Sequence, residues 1–397
     1  MAKKAAPKQT ETNTKIIATL GPVSNTYESI RALYEAGVDC FRLNFSHGSH
    51  EDHGKSVDII RKIEKDTGAT ISIMADLQGP KLRIGAFKDE TIDIKKGQEI
   101  RFDLDPALGD AKRVSFPHPE ILAALEPGAQ FLMDDGNVGM RIKEKGEGYV
   151  VAIVEYGKTL ASKKGVNVPD LSRHVEAITE KDRADLAYAL SKGVDWVALS
   201  FVQGPEDIKL GKALIAGRAK IIAKIEKPDA AKNFAAILKE ADAAMVARGD
   251  LGVEIPLYKV PGVQKRMLME GRKAKKPIIV ATQMLDSMRE TPRPTRAEVS
   301  DVAQAVLDGA SAVMLSGETS VGKFPVLAVE MMDKICKEME SEDLFTITRE
   351  MKGHKHSAAA AFDASARPPA NNDFDTGERK KKTPAKKPVK KQPGKRQ

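Results

Sequence analysis

Eight short apolar runs, each closed by polar residues, set the rhythm of the chain as far as Glu318. They are KIIATLGP, DCFRLNFSHG, ATISIMAD, WVALSF, Ile221–Ile225, Ala243–Val246, PIIVATQ and SAVMLSGE. Runs this short and this evenly apolar predict parallel strands buried on both faces rather than half-exposed ones. Helical segments fall between them. One is Asn25 through Gly37, with Asn25 as N-cap and Gly37 as stop. Others lie near Glu51–Asp66, Thr179–Lys192, Pro205–Ala216 and Pro325–Met339, and a single amphipathic segment joins Ile225 to Ala243. Thr179 and Asp182 fit a capping box.

The polar strand ends are Thr19, Asn44 with Ser46, Asp76, Ser200, Glu226, Asp250, Thr282 with Gln283, and Ser316 with Glu318. Eight such β–α units predict a closed (β/α)8 (TIM) barrel, an α/β fold whose C-terminal rim carries the chemistry. The rhythm breaks after the third strand. Residues 80–173 alternate in short segments with Gly-rich turns, such as ETIDIKKGQEIRFDL, and predict an inserted antiparallel β-rich domain. The barrel is expected over residues 14–79 and 174–341, behind a flexible N-terminus at 1–13. Residues 342–397 read as a disordered Lys/Pro-rich tail.

Composition changes this picture at one point. The formal charge is +8, but Arg379–Gln397 holds ten Lys or Arg and no acid, so the remainder carries 64 − 10 = 54 basic against 56 acidic side chains. The body is near neutral and the basicity belongs to the tail. Non-specific polyanion contact is expected there, without base reading, because no aromatic residues interleave the lysines. No run of apolar residues is long enough to span a bilayer, and the first residues lack the apolar core of a secretory signal. Two cysteines, Cys40 and Cys336, cannot build a disulfide framework, and a reducing, cytoplasmic setting is the expectation.

The candidate chemistry collects on two adjacent strand ends. Lys224 and Glu226 close one run; Arg248 and Asp250 close the next. Two carboxylates in one poorly solvated space repel, and a divalent cation relieves that repulsion. FRLNFSHG places Arg42, Asn44 and Ser46 on one face by the two-residue period, with His47 beside them. A charged arginine inside a barrel needs a carboxylate or a phosphate. Lys163 and Lys164, flanked by glycine, form either a surface pair or a polyphosphate grip. The RGD tripeptide at Arg248–Asp250 follows a buried strand and is not an exposed adhesion loop. GETSVGKF resembles a phosphate-binding loop, but Phe324 stands where a hydroxyl must reach the metal.

KIIATLGP, FRLNFSHG, QGPKLRIG, SKKGVN, KIEK, MVARGDLGVE, ATQMLDSM, PTRAEVSDVA and LSGET together resemble the pyruvate kinase family, in family order, over roughly Lys15 to Met339. The resemblance implies phosphoryl transfer from phosphoenolpyruvate to ADP, with Glu226 and Asp250 as ligands of Mg2+ or Mn2+. It implies Lys224 beside the transferring group, Arg42 on the substrate phosphate, and the backbone N–H groups of Gly249 and Asp250 on the substrate carboxylate. Thr282 then lies over the enolate, and Asn44, His47, Arg83 and Lys164 face the nucleotide, ADP or ATP. The inserted domain becomes a lid, and the protein a homo-oligomer.

Two departures from the family pattern stand out. Leu77 and Lys81 replace the Thr and Glu that accompany the potassium position, here Asn44, Ser46, Asp76 and Leu77, so K+ is expected not to be required. The family's C-terminal regulatory domain, which carries the usual effector site, has no match in these residues, so sugar-phosphate activation through that site is not expected. Two rival readings stay open on the residues alone: a metal-dependent aldolase or lyase on a similar barrel, and an inactive barrel with a polyanion-binding tail.

Overall fold

The computed structural model describes residues 12–169 and 176–341. The expected tail at 342–397, nearly all of the N-terminal segment and the 173/174 boundary lie outside these residues. Three β–α rounds come first: β1 (Lys15–Thr19), α1 (Tyr27–Ala36), β2 (Cys40–Asn44), α2 (His50–Thr67) and β3 (Ser72–Asp76). The inserted segment contributes β4 (Thr91–Asp93), β5 (Glu99–Asp103), β6 (Arg113–Ser115), α3 (Pro119–Ala124), β7 (Gln130–Met133), β8 (Val138–Gly146), β9 (Tyr149–Tyr156), β10 (Thr159–Ala161) and β11 (Val166–Asn167). The barrel resumes with α4 (Glu180–Ser191), β12 (Trp196–Leu199), α5 (Pro205–Ile215), β13 (Lys220–Ile225), α6 (Pro228–Lys232) and α7 (Phe234–Glu240). It closes with β14 (Ala243–Ala247), α8 (Arg248–Glu254), α9 (Val260–Ala274), β15 (Ile278–Ala281), α10 (Arg296–Leu307), β16 (Ala312–Leu315), α11 (Gly317–Ser320) and α12 (Pro325–Met339).

The eight expected strands close in the order β1-β16-β15-β14-β13-β12-β3-β2, all parallel. Alternation sorts every strand into two faces. Ile221, Ala223 and Ile225 point outward into the core shared with the helices. Ile222 points inward with Ile17, Cys40, Met74, Trp196 and Met245. Two residues beyond the inward-facing Ile17, Cys40, Met74, Ala198 and Ile222, the same face carries Thr19, Arg42, Asp76, Ser200 and Lys224. The barrel interior therefore passes from an apolar plug to a polar layer within one step of the strand period, and that layer is the C-terminal rim.

Several local expectations change. Thr26, not Asn25, caps α1, because its hydroxyl accepts from the Ser29 amide while Ser29 reaches back to complete the box. The single segment between β13 and β14 is two short helices that break at Asn233. The inserted domain is not wholly antiparallel. Its six-stranded sheet, β11-β7-β8-β9-β5-β6, contains the parallel pair β5–β6, and β10 pairs separately with β4. This domain has its own core, including Phe102, Phe116 and Phe131. Its two connections to the barrel run side by side, bridged antiparallel at Arg83 and Gly165.

Candidate active site

Four buried charges alternate in sign across the rim layer. Arg42 Nε on β2 lies 2.7 Å from Asp76 Oδ2 on β3. Lys224 Nζ on β13 lies 3.2 Å from Asp76 Oδ1 and 2.8 Å from Glu226 Oε1. Ser200, the residue directly after the intervening strand β12, has a hydroxyl that accepts from Lys224 Nζ at 2.6 Å and donates to the Leu77 carbonyl at 2.7 Å. Arg42 Nη1 donates to Thr19 Oγ1 at 3.0 Å, and Glu226 Oε2 accepts the Phe201 amide at 2.7 Å. Of the two partners the sequence left open for Arg42, the carboxylate is present.

The charges tune one another. Burial raises the Asp76 carboxyl, but Lys224 and Arg42 outweigh it and hold the group below the usual carboxylate range. Burial also lowers the Lys224 ammonium, and Asp76 and Glu226 together reverse that and leave it raised. Glu226 behaves differently. Burial raises it, Lys224 only partly offsets this, and the negative charge of Asp250 adds to the rise.

Glu226 follows β13 and Asp250 follows the neighbouring strand β14, so the two carboxylates belong to adjacent strand ends, with Glu226 1% exposed. Two hard oxygen donors in this arrangement fit a Mg2+-like ion, which takes one or two protein carboxylates and completes its shell from waters and substrate phosphates. No cluster of three or more His, Cys, Asp or Glu residues suited to a metal occurs among the described residues.

Above the rim, Lys81 Nζ lies 3.4 Å from Asp250 Oδ1 and 4.0 Å from Asp135 Oδ1 of the inserted domain. Arg83 Nη1 donates to the Lys163 carbonyl at 3.0 Å, and Lys164 Nζ pairs with Asp134 Oδ1 at 2.5 Å. Asp134, Asp135 and Gly136 all adopt positive φ in one turn over the site. His47 is held below its ordinary value, first by burial and then by Arg83, Lys81, Arg42 and Lys181. The mouth therefore holds Lys81 and Lys164 in exchangeable pairs with carboxylates, while the Arg83 guanidinium has a backbone carbonyl as its partner.

Thr282 follows β15 at φ 72°, a left-handed conformation that a β-branched residue rarely adopts. Its hydroxyl accepts the Gly249 amide at 2.7 Å and donates to the Ala281 carbonyl at 2.6 Å. Arg248 braces this corner, donating to the carbonyls of Ala281 and Thr282 while paired with Asp301 at 2.7 Å.

Other sequence readings fare unevenly. Three of the four residues of the potassium position, Asn44, Asp76 and Leu77, offer oxygens that already serve protein donors. Asn44 Oδ1 accepts the Ser46 amide at 3.1 Å, Asp76 serves Arg42 and Lys224, and the Leu77 carbonyl serves Ser200. The contacts of Lys81 are with Asp250 and Asp135. Lys323 of the loop-like GETSVGKF segment pairs with Glu290 at 2.7 Å, away from any phosphate cradle. The sequence marks Ser200 and Arg248 only as polar strand-end residues, without partners, and does not mark Glu254 at all. The two-residue period from Ala198 would have pointed Ser200 inward, whereas nothing local marks the partners of the other two.

The family model described as pyruvate kinase, barrel domain matches residues 11–329. The chain is 50% identical to a pyruvate kinase of Methylorubrum extorquens across 84% of its own length and 70% of that protein's. With a pyruvate kinase of Mycobacterium tuberculosis it shares 47% identity, over 81% and 69% of the two lengths. The crystal structure of a pyruvate kinase from Cryptosporidium parvum superposes with a TM-score of 0.79 at 39% identity, covering 85% of this chain and 71% of that one.

Proposed function

Since the chain belongs to the pyruvate kinase family, a family of phosphotransferases, we propose that its rim layer moves the phosphoryl group of phosphoenolpyruvate onto ADP, the last step of glycolysis. The P–O bond to the enol oxygen breaks and a new P–O bond forms to the terminal phosphate oxygen of ADP. The enolate left behind takes a proton at its methylene carbon and becomes pyruvate. The observation that carries this reading is the alternating row Arg42, Asp76, Lys224 and Glu226, which presents fixed, desolvated charge where phosphoryl oxygens gain it.

In this reading Arg42 and Lys224 bind and orient the substrate phosphate, with Asp76 fixing both cations. The amides of Gly249 and Asp250 take the substrate carboxylate, and the Gly249 amide exchanges its present acceptor, the Thr282 hydroxyl, for it. That exchange frees Thr282 to stand in the proton path to the methylene carbon. Glu226 and Asp250 would hold Mg2+ or Mn2+, which would supply neutralising charge to the phosphates. Asn44, His47, Arg83 and Lys164 face the nucleotide, and the inserted domain over residues 80–173 excludes water so that transfer outruns hydrolysis.

We read the reaction as independent of K+. The oxygens at Asn44, Asp76 and Leu77 are committed to protein donors, and the Lys81 ammonium adds a fixed positive charge at Asp250. Neither the lyase nor the inactive-barrel reading is favoured by relatives named pyruvate kinase along most of the chain. An assay with phosphoenolpyruvate, ADP and Mg2+ tests the proposal. Equal yields of pyruvate and ATP are expected, while pyruvate without ATP, or no turnover, would overturn it.

A further inference from the structure

Glu254 ends α8, where the helix presents unsatisfied carbonyls, and Lys227 stands as N-cap of α6, where amides point outward. Each charge sits at the helix end whose partial charge it shares, so neither placement serves its own helix. Their partners lie elsewhere. Lys227 Nζ donates to Glu254 Oε1 at 2.6 Å, and the same oxygen accepts Asn167 Nδ2 at 2.7 Å. The Glu254 side chain is 2% exposed, and Asn167 is buried. One carboxylate oxygen therefore joins three segments: the residue after Glu226, the helix that carries Asp250, and β11, the strand by which the inserted domain returns to the barrel.

A second contact lies on the same helix. A Cβ at Gly136, in the left-handed turn of the inserted domain, would stand 3.6 Å from Val253 Cγ1. Thus the inserted domain meets α8 at both Val253 and Glu254.

We infer that Glu254 is a positioning residue that couples the inserted domain to the spacing of the Glu226 and Asp250 carboxylates. The inference rests on the functional reading above and adds to it. Because Lys227 adjoins Glu226 and α8 begins two residues before Asp250, releasing Oε1 from its two donors loosens both metal-facing carboxylates together. The site then binds a divalent ion more weakly even with no substrate present.

Mn2+ titration of the full chain, with free Mn2+ followed by electron paramagnetic resonance and no substrate added, tests this. Glu254→Ala is expected to raise the Mn2+ Kd about tenfold, as loss of an outer support for metal ligands does. Asn167→Ala, a change in the inserted domain, is expected to raise it also, and to have no further effect in the Glu254→Ala background. Glu254→Gln keeps the side chain's size and an acceptor for Asn167, so it serves if the alanine variant fails to fold. It is expected to raise the Kd because Lys227 loses its charge partner. Kd values within about twofold of the unsubstituted chain, with only the melting temperature lowered, would overturn the coupling, as would an undiminished Asn167→Ala effect in the double variant. No saturable Mn2+ site in the unsubstituted chain would overturn the functional reading itself and the coupling with it.

Discussion

Lys224 Nζ lies 3.2 Å from Asp76 Oδ1, although their strands are not neighbours. Strand β12 stands between them, and Ser200, directly after it, fills the gap with its hydroxyl. Asp76 thus organises both cations of the proposed phosphate site, Lys224 through one oxygen and Arg42 through the other.

Removing one member of a buried ion pair strands the other charge, at about 3–5 kcal/mol. Lys224→Met should therefore lower both stability and turnover. The expected loss in kcat is about 10²- to 10³-fold, the scale for one fixed electrostatic donor. Steady-state kinetics together with urea unfolding would check both, and a stable variant with near-normal kcat would count against the role.

The direction of the Asp76 shift sets a pH dependence. Its folded-state pKa is depressed from the ordinary 3.8, so the unfolded chain binds its proton more readily. The stabilisation is present above pH 3.8 and is lost as pH falls through the lower folded value. Asp76→Asn should be less stable than the unsubstituted chain at pH 7, with the difference shrinking below pH 3.8. Melting temperatures from neutral to strongly acid pH would show this; a constant difference would refute it.

Thr282 holds a left-handed backbone that strains a β-branched residue by about 1–3 kcal/mol. Thr282→Ser should keep most activity because the hydroxyl remains. Thr282→Ala should slow both the forward reaction and deuterium uptake into the methyl group of pyruvate. Unchanged exchange in the alanine variant would remove Thr282 from the proton path.

Replacing K+ with Na+ or tetramethylammonium should leave turnover within about twofold, on the electrostatic grounds that Lys81 already places an ammonium beside Asp250. Lys81→Ala should lower turnover and make what remains respond to K+. A strong K+ requirement in the unsubstituted chain would contradict this.

Much of the fold was legible because it rests on local period. The eight strand ends follow from where apolar runs meet polar residues, and Pro325–Met339 forms as read. Thr26 displaced Asn25 as a cap because that choice depends on the reciprocal bond with Ser29. The parallel β5–β6 pair escaped because strand pairing is a long-range property with no mark in either segment. At the site, Glu226 and Asp250 were readable as adjacent strand ends, since sequential parallel strands pair in the barrel. The link from Lys224 to Asp76 was not, because it crosses an intervening strand and depends on barrel closure. Glu254 escaped for a similar reason: Asn167 lies 87 residues away in sequence.

The most direct test is a Mg2+ titration of ADP-dependent pyruvate formation in the unsubstituted chain and in Asp250→Ala. If Glu226 and Asp250 share one cation, the substitution should abolish most turnover at low Mg2+ and shift half-saturation to higher concentration. Turnover and Mg2+ dependence unchanged by the loss of Asp250 would contradict a shared site.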